Sequence, residues 1–455
     1  MSRSSSLRGR ALRSVRSQTA PVDPLDLFDR AGTFYRDRVF WEHPDEDFAI
    51  VGLGAAWAFA ASGPTSVPEA AAAWRSDLHD GVDLGTSADE APWGAGPLAL
   101  GGFAFAPGDH GPAPPWDGFP SGKIVVPELT VSRIGRETWM TSAAMAEAGT
   151  DGARVSGALK VLSDILAATP ERADGRTARE PLVVEAFSAE ARWKAAVRSA
   201  ATAGRDGAFT KVVLARSLTV RGVRTTASQV LRRLRAGYPG CTLFAVAVGD
   251  RCFLGATPER LIRLRGGEVT TAAVAGTAPR GATEEADRRL GEELRASPKE
   301  RLEHAVVVDV VKDVMTEVCM GVVAPAEPEL LRVANVQHLS TPLVGRLRDR
   351  LSVLDLVERL HPTPAVGGFP RHAALQWIRR HEDLARGWYA GPIGWINHAG
   401  EGEFAVAIRS AVMSGSEAVL FAGCGIVADS DPDQEYAESA LKMRPMLEAL
   451  GAAGA

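Results

Sequence analysis

An α+β fold is what this sequence predicts, and three observations carry the expectation. Short runs rich in Val, Ile, Phe and Thr recur at strand length, bounded by Gly and Pro. Two segments, near residues 300 and 435, carry complete helix-start signals. From about Phe187 onward the periods of strand and helix are mixed along the chain.

With 45% hydrophobic and 24% charged residues among 455, the chain has material for a large core, and length alone suggests two or three domains. A formal net charge of −5 leaves no global basic field to gather nucleic acid or anionic lipid, which points to small-molecule work. Cys241, Cys252, Cys319 and Cys424 form neither a CxxC nor a Cys/His cluster of zinc-ligand spacing, the usage of a reduced cytoplasmic protein. No apolar run reaches the ~20 residues of a bilayer span, and no solenoid or propeller period recurs.

The first segment, "MSRSSSLRGRALRSVRSQTAP", is Arg- and Ser-rich and has no acidic residue and no apolar h-region. A disordered leader over residues 1–23 is expected, with an organelle transit peptide as the alternative. "FAIVGLGAAWAFA" offers Gly52-x-Gly54, the start of a dinucleotide fingerprint, but Trp57 fills the position where a small residue must pack helix on strand, so no nucleotide site is expected. "GPLALGGFAFAPGDHGPAPPW" and "GKIVVPELTV" read as strands with irregular connections. "DGARVSGALKVLSDILAAT" reads as a helix, followed by a polar surface loop over 170–181.

In "KVVLARSLTV" strand alternation places Lys211, Val213 and Ala215 on one face and Val212, Leu214 and Arg216 on the other. A lysine at the head of such a run is either an edge gatekeeper or snorkelling cation, or one desolvated to act as a base. Downstream, Gly266-Gly267 is a two-residue hairpin signal that pairs residues whose numbers sum to about 533 by a two-residue turn. It sets Glu259 opposite Val274, near Ala275, Gly276 and Thr277; taken alone, Glu259 could as well be a surface carboxylate.

In "SPKERLEHAVVVDVVKDVM", Ser297, Pro298 and Glu300 form a cap, a first-turn proline and a capping-box carboxylate. Glu303 stands beside Glu300 with no capping role to explain it, as on a solvated face or in a site. "EFAVAIRSAVM" alternates as a strand, with Phe404, Val406 and Ile408 on one face and Arg409 on the other, a structural ion-pair partner or a carboxylate ligand beside Gly423 and Gly425. In the last helix Asp431, Pro432 and Gln434 repeat the cap grammar, and Tyr436, Ala440, Met443, Leu447 and Leu450 form an apolar stripe. Glu435, Glu438 and Lys442 fall on a separate face; Glu438 and Lys442 make an i,i+4 pair, while acids from two helices without Cys or His would also suit a hard cation such as Mg²⁺.

Together "KVVLAR", "GATPERLIRL", "AGTAPRG", "EHAVVVDVV", "VQHLSTPLVGRL", "LHPTPAVGGFP", "RGWYAGPIGW", "GEFAVAIRSA" and "AGCGIVADSDPDQEYAESALKM" resemble the chorismate-binding enzymes, and among them the isochorismate synthases. The resemblance is dense from Phe187 to Leu450 and looser back to about Pro24. It implies one large α+β domain in place of several, with two layered antiparallel sheets, helices outside and the site between. Residues 24–180 would form the N-terminal part and 181–451 the catalytic region.

By that resemblance Lys211 is the general base that activates water for attack at C2 of chorismate, and Glu259 the general acid at the departing C4 hydroxyl. Glu303, Glu435 and Glu438 would hold Mg²⁺, with Glu300 behind them. Arg409, Lys442 and the amides around Gly423 and Gly425 would take the side-chain carboxylate. His338, Ala275, Gly276 and Thr277 would line the ring, with Thr363, Ala365 and Val366 facing the substrate. Cys424 stands where the family has a small alanine.

Within the family, anthranilate synthases place glutamine where Lys211 stands, and aminodeoxychorismate synthases a lysine where Ala275 stands, so amination is not expected. Salicylate synthases share the lysine but read "FPSITASG" where this chain reads "HPTPAVGG", which favours release of isochorismate, with salicylate synthase the alternative. A non-catalytic chorismate-binding protein would be expected to lack the acid, the base or a metal carboxylate; all are present. No amidotransferase subunit, nucleic acid or membrane partner is implied, and a cytoplasmic monomer is expected.

Overall fold

The computed structural model describes residues 10–61, 63, 66–79, 82–83, 92–106, 114–147, 157–169, 182–186 and 190–452. Two sheets are layered with helices outside, a single α+β domain. The larger runs from Val183–Ala186 through Lys211–Arg221, Glu417–Ile426, Ser410–Ser414, Arg251–Thr257, Thr242–Val248, Arg38–His43, Phe48–Leu53, Leu129–Ile134, Glu137–Glu147 and Arg10–Thr19 to Val82–Asp83. The smaller runs from Cys319–Val323 through Val336–Leu347, Glu268–Pro279, Arg260–Arg265, Gly402–Val406, Pro392–Asn397, Leu98–Phe103 and Gly122–Val126 to Trp57–Ala61. Residues before and after 181 build both sheets, so a continuous core joins Trp41 and Leu100 to Val212 and Phe404.

The chain passes from one sheet to the other at several points, and these crossings define the architecture. Phe48–Leu53 lies in the large sheet and Trp57–Ala61 in the small one, with Gly54 between them at φ +68°. The Gly52-x-Gly54 run is thus the corner of a crossing, not a phosphate loop. "GKIVVPELTV" crosses back at Pro127 and Glu128. Arg251–Thr257 and Arg260–Arg265 lie in different sheets, with Pro258 and Glu259 at the step between.

The expected single strand over "EFAVAIRSAVM" is corrected in the same way. Gly402–Val406 belongs to the small sheet and Ser410–Ser414 to the large one. Arg409 holds the corner at φ +53°, a conformation that L-residues seldom adopt. Alternation continues through the corner because the residues on both sides of it are buried, so period alone could not reveal the change of sheet.

The expected leader is also corrected for residues 10–19: Arg10–Thr19 is a strand that pairs along its whole length with Glu137–Glu147. Its partner lies some 125 residues away, and Leu12 and Ser14 are buried beneath an Arg- and Ser-rich surface that composition reads as disorder. Residues 1–9 and the polar loop over 170–181 lie outside the described residues. The helix before that loop is present as Ala158–Ala167.

The Gly266-Gly267 hairpin has the expected register, with Arg263 opposite Thr270 and Leu264 opposite Val269. Both glycines have positive φ, as such a turn requires. Ser297 caps Pro298–Val318 by accepting from Glu300 N–H, and Asp431 caps Pro432–Leu450 by accepting from Asp433 and Gln434 N–H. On the last helix the expected stripe holds at Met443 and Leu450, with Tyr436 and Leu447 half-buried, but Ala440 is exposed, and Glu435, Ser439 and Met446 are buried beside it. The helix turns a polar line inward in its first turns because that end borders a site.

Candidate active site

Between the sheets lies a cleft whose empty space, with the open solvent at its mouth, is about 630 Å³. Lys211 enters it from the head of the Lys211–Arg221 strand, 1% exposed, with Nζ 2.9 Å from Glu303 Oε1 of the Pro298–Val318 helix. The lysine is therefore no snorkelling edge cation. Gly425, directly beside this pair, has no room for a side chain: a Cβ would run into the Glu303 carboxylate and the Lys211 stem. Burial disfavours the Glu303 carboxylate, but Lys211 outweighs it and holds the group below its ordinary range.

The free edge of the Lys211 strand is completed by side chains. Lys211 and Val212 pair with Gly368–Phe369, and Leu218 to Arg221 with Val183–Ala186. In the gap Arg386 donates to Val213 O (2.7 Å) and Glu382 accepts from Ala215 N–H (2.8 Å), the two side chains forming a buried ion pair at 2.6 Å. Arg386 also donates to Val366 O at 2.9 Å, tying the "HPTPAVGG" loop to the strand that carries Lys211.

Glu259 faces the same cleft from its crossing. Its N–H donates to Thr257 Oγ1 at 3.2 Å and its carbonyl accepts from Val406 N–H at 3.0 Å, which fixes the backbone beneath the carboxyl. Burial pushes the carboxyl up to about 7, with Lys211, Arg409 and Lys442 pulling the other way. A surface role for Glu259 is thereby excluded.

Arg409 donates from Nη2 to His338 Nε2 at 3.2 Å. The imidazole then carries its proton on Nδ1, which donates to Gly276 O at 3.1 Å beside Thr277 Oγ1. Burial and the neighbouring Arg409 and Lys442 push His338 down to about 3, so the ring is neutral. Lys442 donates to Gly423 O (3.0 Å) and pairs with Glu438 at 2.6 Å. The i,i+4 pair read from the sequence exists, and its cation still lines the cleft.

Ala275, Gly276, Thr277, Ala365, Val366, Gly423 and Gly425 also line this space. Thr363 is set apart from the lining; its carbonyl accepts from Val366 and Gly367 N–H and shapes the turn. Val213, Ile408, Tyr389 and Arg386 line the cleft and escaped the reading of the sequence. Tyr389, stacked on Phe421, and Arg386 both fall in "RGWYAGPIGW" or its edge, and Glu382-x-x-x-Arg386 was the available signal for a buried pair.

Of the four acids read from the sequence, Glu303 lines the cleft, and Glu300 and Glu438 reach it through the lining residues Thr277 and Lys442, with Glu435 beside Glu438. Glu300 does not fold back on its own cap: Oε2 accepts from Thr277 N–H at 3.2 Å. Burial raises its pKa, with Glu303 and then Glu438 adding to the rise against Lys299. Glu435, 2% exposed, is raised by burial and by Glu438, against Lys299 at 3.1 Å. Lys299 is a further member of the site that the sequence reading passed over. Oxygens of Glu435 and Glu438 and the Cys424 sulfur lie within 4.8 Å of one another. Burial keeps Cys424 a thiol, and it donates to Glu435 O at 3.3 Å, so the donors left for a cation are oxygens alone. A cluster of carboxylates that offers oxygen donors fits a hard divalent ion such as Mg²⁺.

A family model for chorismate binding enzymes matches residues 2–451. The chain belongs to the chorismate-binding enzymes. It is 38% identical over 437 residues to the salicylate biosynthesis isochorismate synthase of Pseudomonas aeruginosa, covering 95% of this chain and 89% of that protein. It is 37% identical over 444 residues to the isochorismate synthase MenF of Bacillus subtilis, covering 96% and 93%. In structure it is similar to MenF, the menaquinone-specific isochorismate synthase from Escherichia coli, with a TM-score of 0.78, 26% identity and coverage of 97% and 96%. Anthranilate synthase component I from Streptococcus pneumoniae shares the fold at a TM-score of 0.69 and 22% identity, over 88% and 92% of the two chains. No helix among the described residues is long and apolar enough to cross a membrane.

Proposed function

We propose that this member of the chorismate-binding enzymes is an isochorismate synthase, which moves the hydroxyl of chorismate from C4 to C2. The observation that carries this reading is the placing of a buried carboxyl with a pKa near 7 and a buried lysine in one cleft, on separate supports. Lys211, acting as the neutral amine, takes a proton from water as it attacks C2. Glu259 gives its proton to the C4 hydroxyl as that group leaves and the diene shifts. The proton balance closes, with one proton taken by Lys211 and one given by Glu259.

Chorismate is a dianion, and the cleft meets it with cations. Arg409, held by His338, and Lys442 take the side-chain carboxylate beside Gly423 and Gly425, where missing side chains leave the backbone open. Glu303, Glu435 and Glu438, with Glu300 behind them, would hold Mg²⁺, which when bound supplies positive charge for the ring carboxylate. Ala275, Gly276 and Thr277 border the ring. Ala365 and Val366 set the space left for the enolpyruvyl arm.

The test is chromatography of chorismate incubated with the protein and Mg²⁺, with and without an isochorismatase to draw off product. Isochorismate must accumulate to a fixed ratio alone and be consumed when the second enzyme is present. Unchanged chorismate would leave a binding protein.

A further inference from the structure

On the other side of the Lys211–Arg221 strand lies a second, partly open cavity, whose empty space with the open solvent at its mouth is about 500 Å³. It is lined by Arg216 and Leu214 of that strand, by Trp193 of the Glu190–Arg205 helix, and by Glu382 and Leu384. None of the residues placed in the reaction above lines it. Its polar groups are unevenly matched.

Arg216 is 5% exposed. Its Nε donates to Ser439 Oγ at 2.7 Å, and the guanidinium lies 4.5 Å from the centre of the Tyr436 ring. No carboxylate of the described residues pairs with it. The acid it feels is Glu190, whose carboxylate is taken by Lys194. A buried guanidinium with a hydroxyl and a ring for company has spare donors in a plane suited to a two-oxygen acceptor.

Trp193 adds an independent observation. It is 5% exposed, and its indole N–H is buried without a hydrogen-bond partner. Trp41, Trp74, Trp93, Trp377 and Trp395 share this state, and of these indoles it is Trp193 that lines the cavity. The carboxylates that line the cavity are committed: Glu382 to Arg386 and Ala215 N–H, and Asp383 to Arg192. Donors are thus in surplus, and the Trp193 ring, Leu214 and Leu384 supply apolar walls.

We propose that this cavity is a second binding site, for a small carboxylate anion with a flat apolar body, of which benzoate is the simplest example. The carboxylate takes the Arg216 fork and the Trp193 N–H, and the ring lies between the apolar walls. Occupancy bears on Tyr436 and Ser439, which share a helix with Glu435 and Glu438, so turnover changes with it; that consequence rests on the function proposed above, whereas the binding does not.

Equilibrium dialysis of the full chain with labelled benzoate, in the presence of saturating chorismate, separates this site from the cleft. Bound benzoate is expected to persist under chorismate, to weaken about tenfold or more in Arg216→Lys, where the fork is lost and the charge kept, and to weaken severalfold in Trp193→Phe. Melting curves confirm that each variant is folded. Complete displacement by chorismate, absence of binding at millimolar benzoate, or parental affinity in either folded variant overturns the proposal.

Discussion

Glu259 and Arg409 sit at neighbouring crossings between the two sheets, and each is bonded through its carbonyl to the strand that leads to the other. Val406 N–H donates to Glu259 O at 3.0 Å, and Ala256 N–H donates to Arg409 O at 3.2 Å. Gly255 permits the second contact, since a Cβ there would stand 2.7 Å from Arg409 O. An acid and a cation that lie 150 positions apart in sequence are thereby set on one rigid double corner. Both are buried at the layer interface, which raises the carboxyl and keeps water from competing for the arginine.

The first prediction follows from that burial. Glu259 must be protonated to act as acid, so kcat/KM with chorismate should fall as pH rises through about 7. Glu259→Gln should lose on the order of a hundredfold in turnover and lose this limb as well. The stability sign is opposite to that of a salt-bridged acid. Its folded pKa lies above the ordinary 4.5, so its contribution is full below about 4.5 and is lost as pH rises through about 7. Melting curves from pH 5 to 8 should show this decline in the parent and less of it in Glu259→Gln; identical slopes would remove Glu259 from the account.

A second prediction separates the lysine's chemistry from its ion pair. Lys211→Ala should lower turnover by about a hundredfold or more. In EDTA it should also lower stability by about 3 kcal/mol, because the buried Glu303 carboxylate loses its partner. Adding Glu303→Gln should recover much of that stability and none of the turnover. A Lys211→Ala enzyme with parental turnover would reduce Lys211 to a counter-ion.

Much of this site was legible because its residues break local rules. Lys211 puts a charge on a strand, Glu303 stands on a capped helix with no cap to serve, and Glu435 with Glu438 forms a polar face beside an apolar stripe. The caps at Ser297 and Asp431 and the register of the Gly266 hairpin are local, and local signals suffice for them. The sheet crossings are not local. Val406 and Ala411 are both buried, in different sheets, and alternation cannot distinguish them. Arg10–Thr19 becomes a strand through a partner far along the chain, and Arg386 works through its bonds to Val213 O and Val366 O, which only the folded backbone brings together.

A third prediction concerns the cation. Chelation should abolish turnover, Mg²⁺ should restore it, and Zn²⁺ should substitute poorly for want of nitrogen or thiolate ligands. Mg²⁺ alone should raise the melting temperature, since it binds the folded carboxylates and has no such site in the unfolded chain. Glu438→Gln should weaken both effects. If instead it binds Mg²⁺ and turns over as the parent does, Glu438 serves only as the partner of Lys442.

The last prediction is the fate of the bound product. Salicylate requires loss of pyruvate from isochorismate, a step that depends on the pocket holding the enolpyruvyl arm in transfer geometry. Ala365 and Val366, the small and branched residues that border this space, are held by Arg386 through Val366 O and through the turn at Thr363. Two small apolar side chains offer the arm no hydrogen bond to fix it, so release should outrun elimination. Chorismate alone should give a reversible mixture of chorismate and isochorismate, without stoichiometric pyruvate. Ammonium salts should yield no aromatic amine, because Lys211 and Ala275 stand where the aminating enzymes of the family carry glutamine or lysine. Salicylate fluorescence that grows in step with chorismate loss, at neutral pH and without an added lyase, would move the assignment to salicylate synthase.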